Sequence, residues 1–435
     1  MIEYVCWWFM KVRSICLGCK VNTYENEYIL SSFKDKGYQI VEDDTADIYI
    51  INTCSVTNQS DAKSRKVINR IVRENPDSII VVMGCFIEAN KDYNHEGVNI
   101  IIGNKDKNKV VELVEEYIQE KKDKKILYDD FDCEFEDMFI TNMNSRTRAF
   151  VKIQDGCENF CSYCIIPYTR GKCRSKDKDK VINEVESLVE NGYQEVVLTG
   201  IHTGHYGSDI NESFPSLLKE LVKIGGLKRL RISSIEITEL DDEFLEVLEN
   251  SKVIVSHMHI PLQSGCDEIL HLMNRKYDTK YFKDKIEKIR KIRPDISITT
   301  DVITGFPSED EKLFAKTYNF IKEIGFTKLH VFPYSRRKGT KADLMPNQID
   351  ERIKKERVNK LIELSNKLES DYLERYLNKE VLVLIETCKN NVCSGHTENY
   401  LMVKVIGQLK ENTMVRAKIK KIIDNYLEGE VYEEN

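Results

Sequence analysis

Between residues 11 and 103 the apolar positions fall into two alternating patterns. Short runs dense in Val and Ile, KVRSICL (11–17), DIYIINT (47–53), SIIVVMG (78–84) and GVNIIIG (97–103), predict strands. The segments TYENEYILSSFKDKG (23–37) and DAKSRKVINRIVRE (61–74) repeat apolar residues at helical spacing and predict amphipathic helices. Strands alternating with helices imply a parallel sheet covered on both faces, with its functional crevice beyond the carboxyl ends of the strands. Residues 104–145 hold a helix and then the acidic, irregular YDDFDCEFEDMF, which reads as a linker over 126–145. From 148 the alternation resumes. AFVKIQ (149–154), EVVLTG (195–200), LKRLRISS (227–234), SHMHIPLQ (256–263), ISITTDVITG (296–305) and KLHVFPY (328–334) are six strand-like runs, nearly all separated by helical patterns. Six βα units are too few for a closed eight-strand barrel and suit an open, partial one, again with its site at the strand C-termini. A charged helix (349–377) leads out to EVLVLIET, YLMVKVIG, TMVRAKIKKIID and YLEGEVY, short alternating strands of a small OB-like β-barrel. The expected fold is α/β in three units: 10–125 with a parallel sheet, a linker at 126–145, 146–376 with a partial TIM-like barrel, and 377–435.

Composition alters this picture little. The formal charge of -7 over 435 residues does not suggest a nucleic-acid binder, yet windows 61–73, 170–180, 335–341 and 401–421 are each basic. Most such runs are solvated surface. No apolar run approaches the ~20 residues that span a bilayer. The opening MIEYVCWWFM lacks the basic region and cleavage site of a secretory signal, and either Met1 or Met10 can be the start. Thirteen cysteines without an export signal fit a reducing cytoplasm, where thiols are metal ligands or buried apolar groups.

The cysteines carry the chemistry. Cys19, Cys54 and Cys85 each fall within about two residues after a strand of the first unit, so three thiols can converge at one sheet edge. CENFCSYC, after the first strand of the second unit, sets Cys157, Cys161 and Cys164 at C-x3-C-x2-C spacing. Thiolates hold zinc or iron–sulfur clusters. This spacing lacks the paired C-x2-C of structural zinc sites, and no histidine completes it nearby. A 4Fe–4S cluster held by three cysteines leaves one iron free of protein. Here the chain resembles the radical S-adenosylmethionine (SAM) enzymes, whose motif has an aromatic residue before the last cysteine, Tyr163 in this sequence. The resemblance implies that SAM chelates the open iron and is cleaved to a 5′-deoxyadenosyl radical. LTGIHTGHYG is similar to the turn that holds the SAM amino group, through Thr199, Gly200 and Ile201. IPLQSG puts Gln263 and Ser264 near the ribose, and TTDVITGFP, with Asp301, flanks the adenine.

LGCKVNTYENE, INTCSVT and VVMGCF are similar to the three cysteine motifs of the methylthiotransferases, and CSYCIIPYTRGKCRS matches that family's radical-SAM loop. GHTENYLMVKV and IIDNYLEGEV resemble the RNA-binding TRAM domain, so the likeness runs from about residue 10 to 433. LGCKVN and the TRAM sequence look most like the branch that methylthiolates C2 of N6-threonylcarbamoyladenosine, at position 37 of tRNA. That implies two 4Fe–4S clusters (the second on Cys19, Cys54 and Cys85), SAM as methyl donor and radical source, and tRNA as partner. It also implies an electron donor such as flavodoxin or ferredoxin, a sulfur source, a cytoplasmic location and no membrane. Cys16 and Cys173 are extra thiols, and Ser308 stands where glycine is usual. The residues leave N6-isopentenyladenosine, or an aspartate of a ribosomal protein, open as targets. A metal-containing RNA-binding protein without catalysis is the alternative of another class. An arginine fork suits the threonyl carboxylate, which makes Arg336 and Arg337 candidates. Arg416, Lys418 and Lys420 alternate along one strand and share a face suited to RNA phosphates.

Overall fold

The computed structural model describes residues 10–43, 45–119, 123–128, 134–143 and 147–432. The choice between Met1 and Met10 and part of the acidic run, 129–133, lie outside them. The first unit is a six-stranded parallel sheet of β1 (Lys11–Cys16), β2 (Gln39–Ile40), β3 (Ile48–Thr53), β4 (Ile79–Gly84), β5 (Ile100–Ile102) and β6 (Lys125–Leu127), in the order β2-β1-β3-β4-β5-β6. Its helices are α1 (Lys20–Asp35), α2 (Asn58–Glu74), α3 (Cys85–Ala89) and α4 (Val110–Gln119). Alternate residues of one strand reach opposite layers. Ile48, Ile50, Val81 and Met83 pack with Ile29, Phe33 and Val114, whereas Tyr49, Ile51, Ile80 and Val82 pack with Ile68, Ile71 and Phe86. Both faces are therefore buried, which is why the strands read as nearly continuous apolar runs.

The sheet extends past the expected boundary at 125, because β6 pairs with β5 through Leu127. The stretch expected as a linker is not simply one: Met138, Ile140 and Met143 are buried in the core of the second unit. Those apolar residues are hidden among acidic neighbours, and periodicity is lost over so short a span.

The second unit has six parallel strands, β7 (Arg148–Lys152), β10 (Glu195–Thr199), β11 (Arg229–Ile232), β12 (His257–His259), β13 (Ser297–Thr304) and β14 (Lys328–Pro333). They form two triplets, linked by a parallel bridge between Leu230 and Ile254. Outside lie α6 (Lys178–Glu190), α7 (Phe214–Leu221), α8 (Asp242–Asn250), α9 (Asp267–Leu272), α10 (Thr279–Ile292), α11 (Glu311–Ile324) and α12 (Glu351–Glu374). The partial barrel is as its sequence pattern predicts. A small antiparallel pair, β8 (Gln154–Asp155) with β9 (Arg174–Ser175), clips the ends of the cysteine loop together around α5 (Ile166–Arg170). Ser308, where glycine is usual, has φ 68°, the left-handed region that favours glycine.

The C-terminal unit is a closed barrel of β15 (Glu380–Lys389), β16 (Val392–Thr397), β17 (Met402–Ile406), β18 (Met414–Ile423) and β19 (Tyr426–Val431). The apolar pattern does not announce β16. Its buried positions are Cys393, Gly395 and Thr397, small residues that suit a tight barrel interior. Cys388 and Cys393, opposite one another in β15 and β16, form a disulfide, a departure from thiols that are all metal ligands or free apolar groups. The barrel docks on the strand starts of the second unit. Arg229 donates to the carbonyls of His396 and Leu382 at 3.0 and 2.7 Å, and Gln194 to that of Asn412 at 2.7 Å.

Candidate active site

Strands β1, β3 and β4 are neighbours, and the chain leaves each at the same edge. Cys54 and Cys85 directly follow β3 and β4, and Cys19 precedes α1. Gly18 has φ 128°, and a Cβ there would lie 3.1 Å from that of Cys54, so glycine is what lets the first turn fold against the second. Asn22 braces this edge by donating to the carbonyls of Leu17 and Thr53, both at 3.0 Å. All three thiols line a chamber of about 960 Å³. Burial raises the Cys19 and Cys54 pKa values, and the neighbouring Cys85 adds to both. Cys19 is exposed yet enclosed by protein, because the space it faces is the chamber rather than bulk solvent.

The second triad sits beside the chamber without lining it. Gly156, with φ 75°, lets the loop pass Lys172, whose carbonyl oxygen would be 1.8 Å from an added Cβ. Burial, and then the neighbouring Cys161, push the Cys164 thiol up to about 12. Arg275 Nη1 donates to Cys161 Sγ at 3.3 Å and also pairs with Glu236. His202 Nδ1 lies 3.8 Å from Cys157 Sγ, while its Nε2 pairs with Glu239. Among the described residues, only His202, His205 and Glu239 bring three ligand atoms within 4.8 Å of one another, as a single ion demands. Neither cysteine triad is that tight, and a 4Fe–4S cube spaces its thiolates wider than one ion does. Soft donors flanked by N–H groups that can bond sulfur fit such a cluster.

A buried ionic network joins the first triad to the start of the cysteine loop. Arg170, from α5, donates through Nε to Cys85 Sγ at 3.4 Å, through Nη2 to Asn22 at 2.8 Å and through Nη1 to Asp155 at 2.9 Å and Glu25 at 3.1 Å. Glu25 also takes Lys107 at 2.6 Å and Lys152 at 2.9 Å. Burial opposes ionisation of Glu25 and Asp155, but these cations outweigh it and hold both carboxyls below the usual range.

Of the residues expected at SAM, Thr199, Gly200, Ile201 and Asp301 line the chamber, and Asp301 meets His259 at 3.3 Å. Tyr163 packs edge-on to Phe306, at 6.4 Å between centroids. Gln263, at φ 63°, stitches β12 to β13 through its backbone and is not part of the lining. Ser264 is turned away, buried against Thr317 at 3.1 Å. The proposed arginine fork is not free. Arg337 is buried, with Nη1 on Asp61 at 2.8 Å and Nη2 on Ser55 at 2.7 Å, holding the second unit to the start of α2. Arg336 pairs with Asp343 at 2.9 Å, and neither arginine lines the chamber. Arg416, Lys418 and Lys420 are exposed on β18 as expected, but their face is mixed. Lys418 lies opposite Glu380 and Glu430, and Lys420 pairs with Glu430 at 3.0 Å. Cys16 is half-buried beside the first edge, and Cys173 is buried, accepting from Gln154 at 3.2 Å.

Sequence reasoning missed the inner wall. The chamber runs from the strand ends at Thr199–Ile201 to the strand starts at His257, Ser297 and Lys328. There Tyr400, Leu401 and Met402 of the small barrel close it. Lys20, Arg231 and His330 face into it too. Lys20, beside a candidate ligand cysteine, is the one of these with a signal in the sequence; the others sit within ordinary strands.

Two known families match the chain: the Radical SAM superfamily over residues 151–321 and the uncharacterized protein family UPF0004 over 11–103. A threonylcarbamoyladenosine tRNA methylthiotransferase of Bacillus subtilis is 45% identical over 95% of this chain and 94% of its own length. A tRNA-2-methylthio-N6-dimethylallyladenosine synthase of Natranaerobius thermophilus is 34% identical over 98% of this chain and 97% of its own length. Among solved structures, the radical S-adenosylmethionine methyltransferase TsrM of Kitasatospora setae matches the fold with a TM-score of 0.55, at 12% identity over 77% of each chain.

Proposed function

Because the chain belongs to the radical-SAM tRNA methylthiotransferases, we propose that it methylthiolates C2 of N6-threonylcarbamoyladenosine in tRNA, giving the 2-methylthio derivative. The observation that carries this reading is a single chamber lined by Cys19, Cys54 and Cys85 and by the strand-end turn Thr199–Ile201. It is large enough for a nucleoside with its substituent. SAM and the two 4Fe–4S clusters of this family supply the methyl group, the sulfur attachment and the radical. An aromatic C2–H has no acidic proton, so acid–base groups alone could not open it. What this chain contributes is holding and shielding. Cys157, Cys161 and Cys164 hold the cluster at SAM, with Arg275 and His202 orienting Cys161 and Cys157. Cys19, Cys54 and Cys85 would hold the other, with Arg170 bracing Cys85 against Asp155. The backbone at Thr199, Gly200 and Ile201 takes the SAM amino group, and Asp301 lies at the adenosine end. Tyr400, Leu401 and Met402 keep water from the inner end.

The first unit runs from 10 through β6, the segment from there to 145 carries its buried residues near 140 into the second core, and 146–376 and 377–435 follow. The C-terminal unit serves as a TRAM-like RNA-binding domain, with Arg416, Lys418 and Lys420 meeting phosphates. The protein works in the cytoplasm with an electron donor such as flavodoxin or ferredoxin and a sulfur source. No helix among the described residues is long and apolar enough to cross a membrane. The test is turnover in vitro. Anaerobically reconstituted protein should thiolate a stem-loop bearing threonylcarbamoyladenosine and leave an isopentenyl one unchanged. The reverse preference would move the protein to the neighbouring branch. A colourless, zinc-containing preparation that cleaves no SAM would end the enzyme reading.

A further inference from the structure

We propose that Lys20, Arg231 and His257 form an anion site within the chamber that binds the carboxylate of the substrate's N6 substituent. This rests on the reading above and names the groups that set its specificity. Arg231 is 2% exposed and its Nε bonds Glu195 at 2.7 Å and its Nη2 the Glu398 carbonyl at 3.1 Å, yet its Nη1 has no partner. His257 is 7% exposed, and its Nδ1 also lacks one. Lys20 lines the same space and pairs with no carboxylate among the described residues. The charge around them does not balance. Lys20, Arg148, Arg229 and Arg231 are four cations against three carboxylates, Glu195, Glu386 and Glu398. The carboxylates that line the chamber itself, Asp301 and Glu369, are engaged by His259 at 3.3 Å and Lys328 at 2.8 Å. Uncompensated charge away from water is costly, and an incoming anion relieves it. A base held at the strand ends directs its N6 substituent inward along the strands, toward these groups. A neutral isopentenyl group would leave them unpaired, and sites built for a polar group reject analogues that lack it.

The competing role for Lys20 is to offset the charge of a cluster at Cys19. The two are separated with anaerobic holoenzyme and two stem-loops, one bearing threonylcarbamoyladenosine and the other its methyl ester, identical but neutral. Wild type should prefer the acid by roughly 10- to 100-fold in kcat/KM, as befits a charge-assisted bond. Lys20→Met should raise KM for the acid about tenfold, matching loss of that bond, and affect the ester far less, with Lys20→Arg restoring the preference. His257→Phe, which adjoins no cluster cysteine, should weaken the preference with iron content and SAM cleavage unaltered. The proposal is overturned if wild type treats acid and ester alike. It is also overturned if the preference survives both substitutions, including when both substrates lose rate equally, as cluster compensation predicts. If wild type thiolates only an isopentenyl stem-loop, the proposed substrate itself is wrong.

Discussion

Replacing Glu25 by alanine should loosen the joint between the first sheet and the cysteine loop. The carboxylate is fully buried and takes Lys107 at 2.6 Å, Lys152 at 2.9 Å and Arg170 at 3.1 Å. Without it, Asp155 still meets Lys152 at 2.6 Å and Arg170 at 2.9 Å, but Lys107, itself fully buried, loses its paired carboxylate. Stranding one buried charge costs about 3–5 kcal/mol. At about 2–4 °C per kcal/mol for a unit of 150–250 residues, the midpoint should fall by roughly 6–20 °C. Thermal unfolding of the anaerobic protein, followed by circular dichroism and iron release, measures it. Lys107→Met on the Glu25→Ala background should recover much of the loss, because removing both partners of a buried pair is far milder than removing one. The pH dependence has a definite sign. Glu25 is depressed, so its contribution is complete above the unfolded carboxyl value of about 4.3 and disappears as pH falls through the folded value. The gap between wild type and variant should therefore stay constant from about pH 6 to 8 and close only in strong acid. A drop below about 1 kcal/mol, or a double variant as weak as the two single losses summed, would refute this account of the joint.

The two cysteine triads should be separable. Alanine at Cys157, Cys161 and Cys164 should abolish deoxyadenosine formation, whereas alanine at Cys19, Cys54 and Cys85 should leave it, stop thiolation and roughly halve the iron, one cluster of two being lost. A second variant with wild-type iron would sink the two-cluster assignment. Arg337→Ala should lower stability by about 1.5–3 kcal/mol, the usual worth of a charged bond, without changing the acid-to-ester preference. A changed preference would return that arginine to the substrate. Truncation after residue 377 should keep both clusters but weaken tRNA binding and flatten its salt dependence, by about 0.7–0.9 log units per lost phosphate contact. Equal affinity and slope would leave the barrel as a lid alone.

The parts legible in the sequence are those with a period or a rare spacing. Buried parallel strands announce themselves as apolar runs, and the C-x3-C-x2-C loop after the first strand of the second unit points to a metal with an open position. Three thiols after three strands predicted convergence because parallel strands share one carboxyl edge. What escaped has neither signal. Strands β2 and β6 have two and three residues, and β16 buries only small groups, so no alternation is visible. The inner wall escaped for a different reason. Charges in a linear sequence read as surface, yet Arg231 and Arg337 are both interior and differ only in what they meet. Arg337 finds Asp61, nearly 280 positions away, and lies outside the chamber; Arg231 pairs with Glu195 and still lines it. Only tertiary packing distinguishes them. The exposed cations of β18 follow from its alternation, but the carboxylates beside them do not, because Glu380 and Glu430 come from the neighbouring strands.

The central claim, that this chain adds methylthio to threonylcarbamoyladenosine in tRNA, is tested most directly in the cell. Mass spectrometry of nucleosides from bulk tRNA should be compared between cells with and without the gene. The account predicts that 2-methylthio-N6-threonylcarbamoyladenosine disappears while its unthiolated precursor accumulates and the isopentenyl counterpart is unchanged. Persistence of the first, or loss of the isopentenyl counterpart in its place, would contradict it.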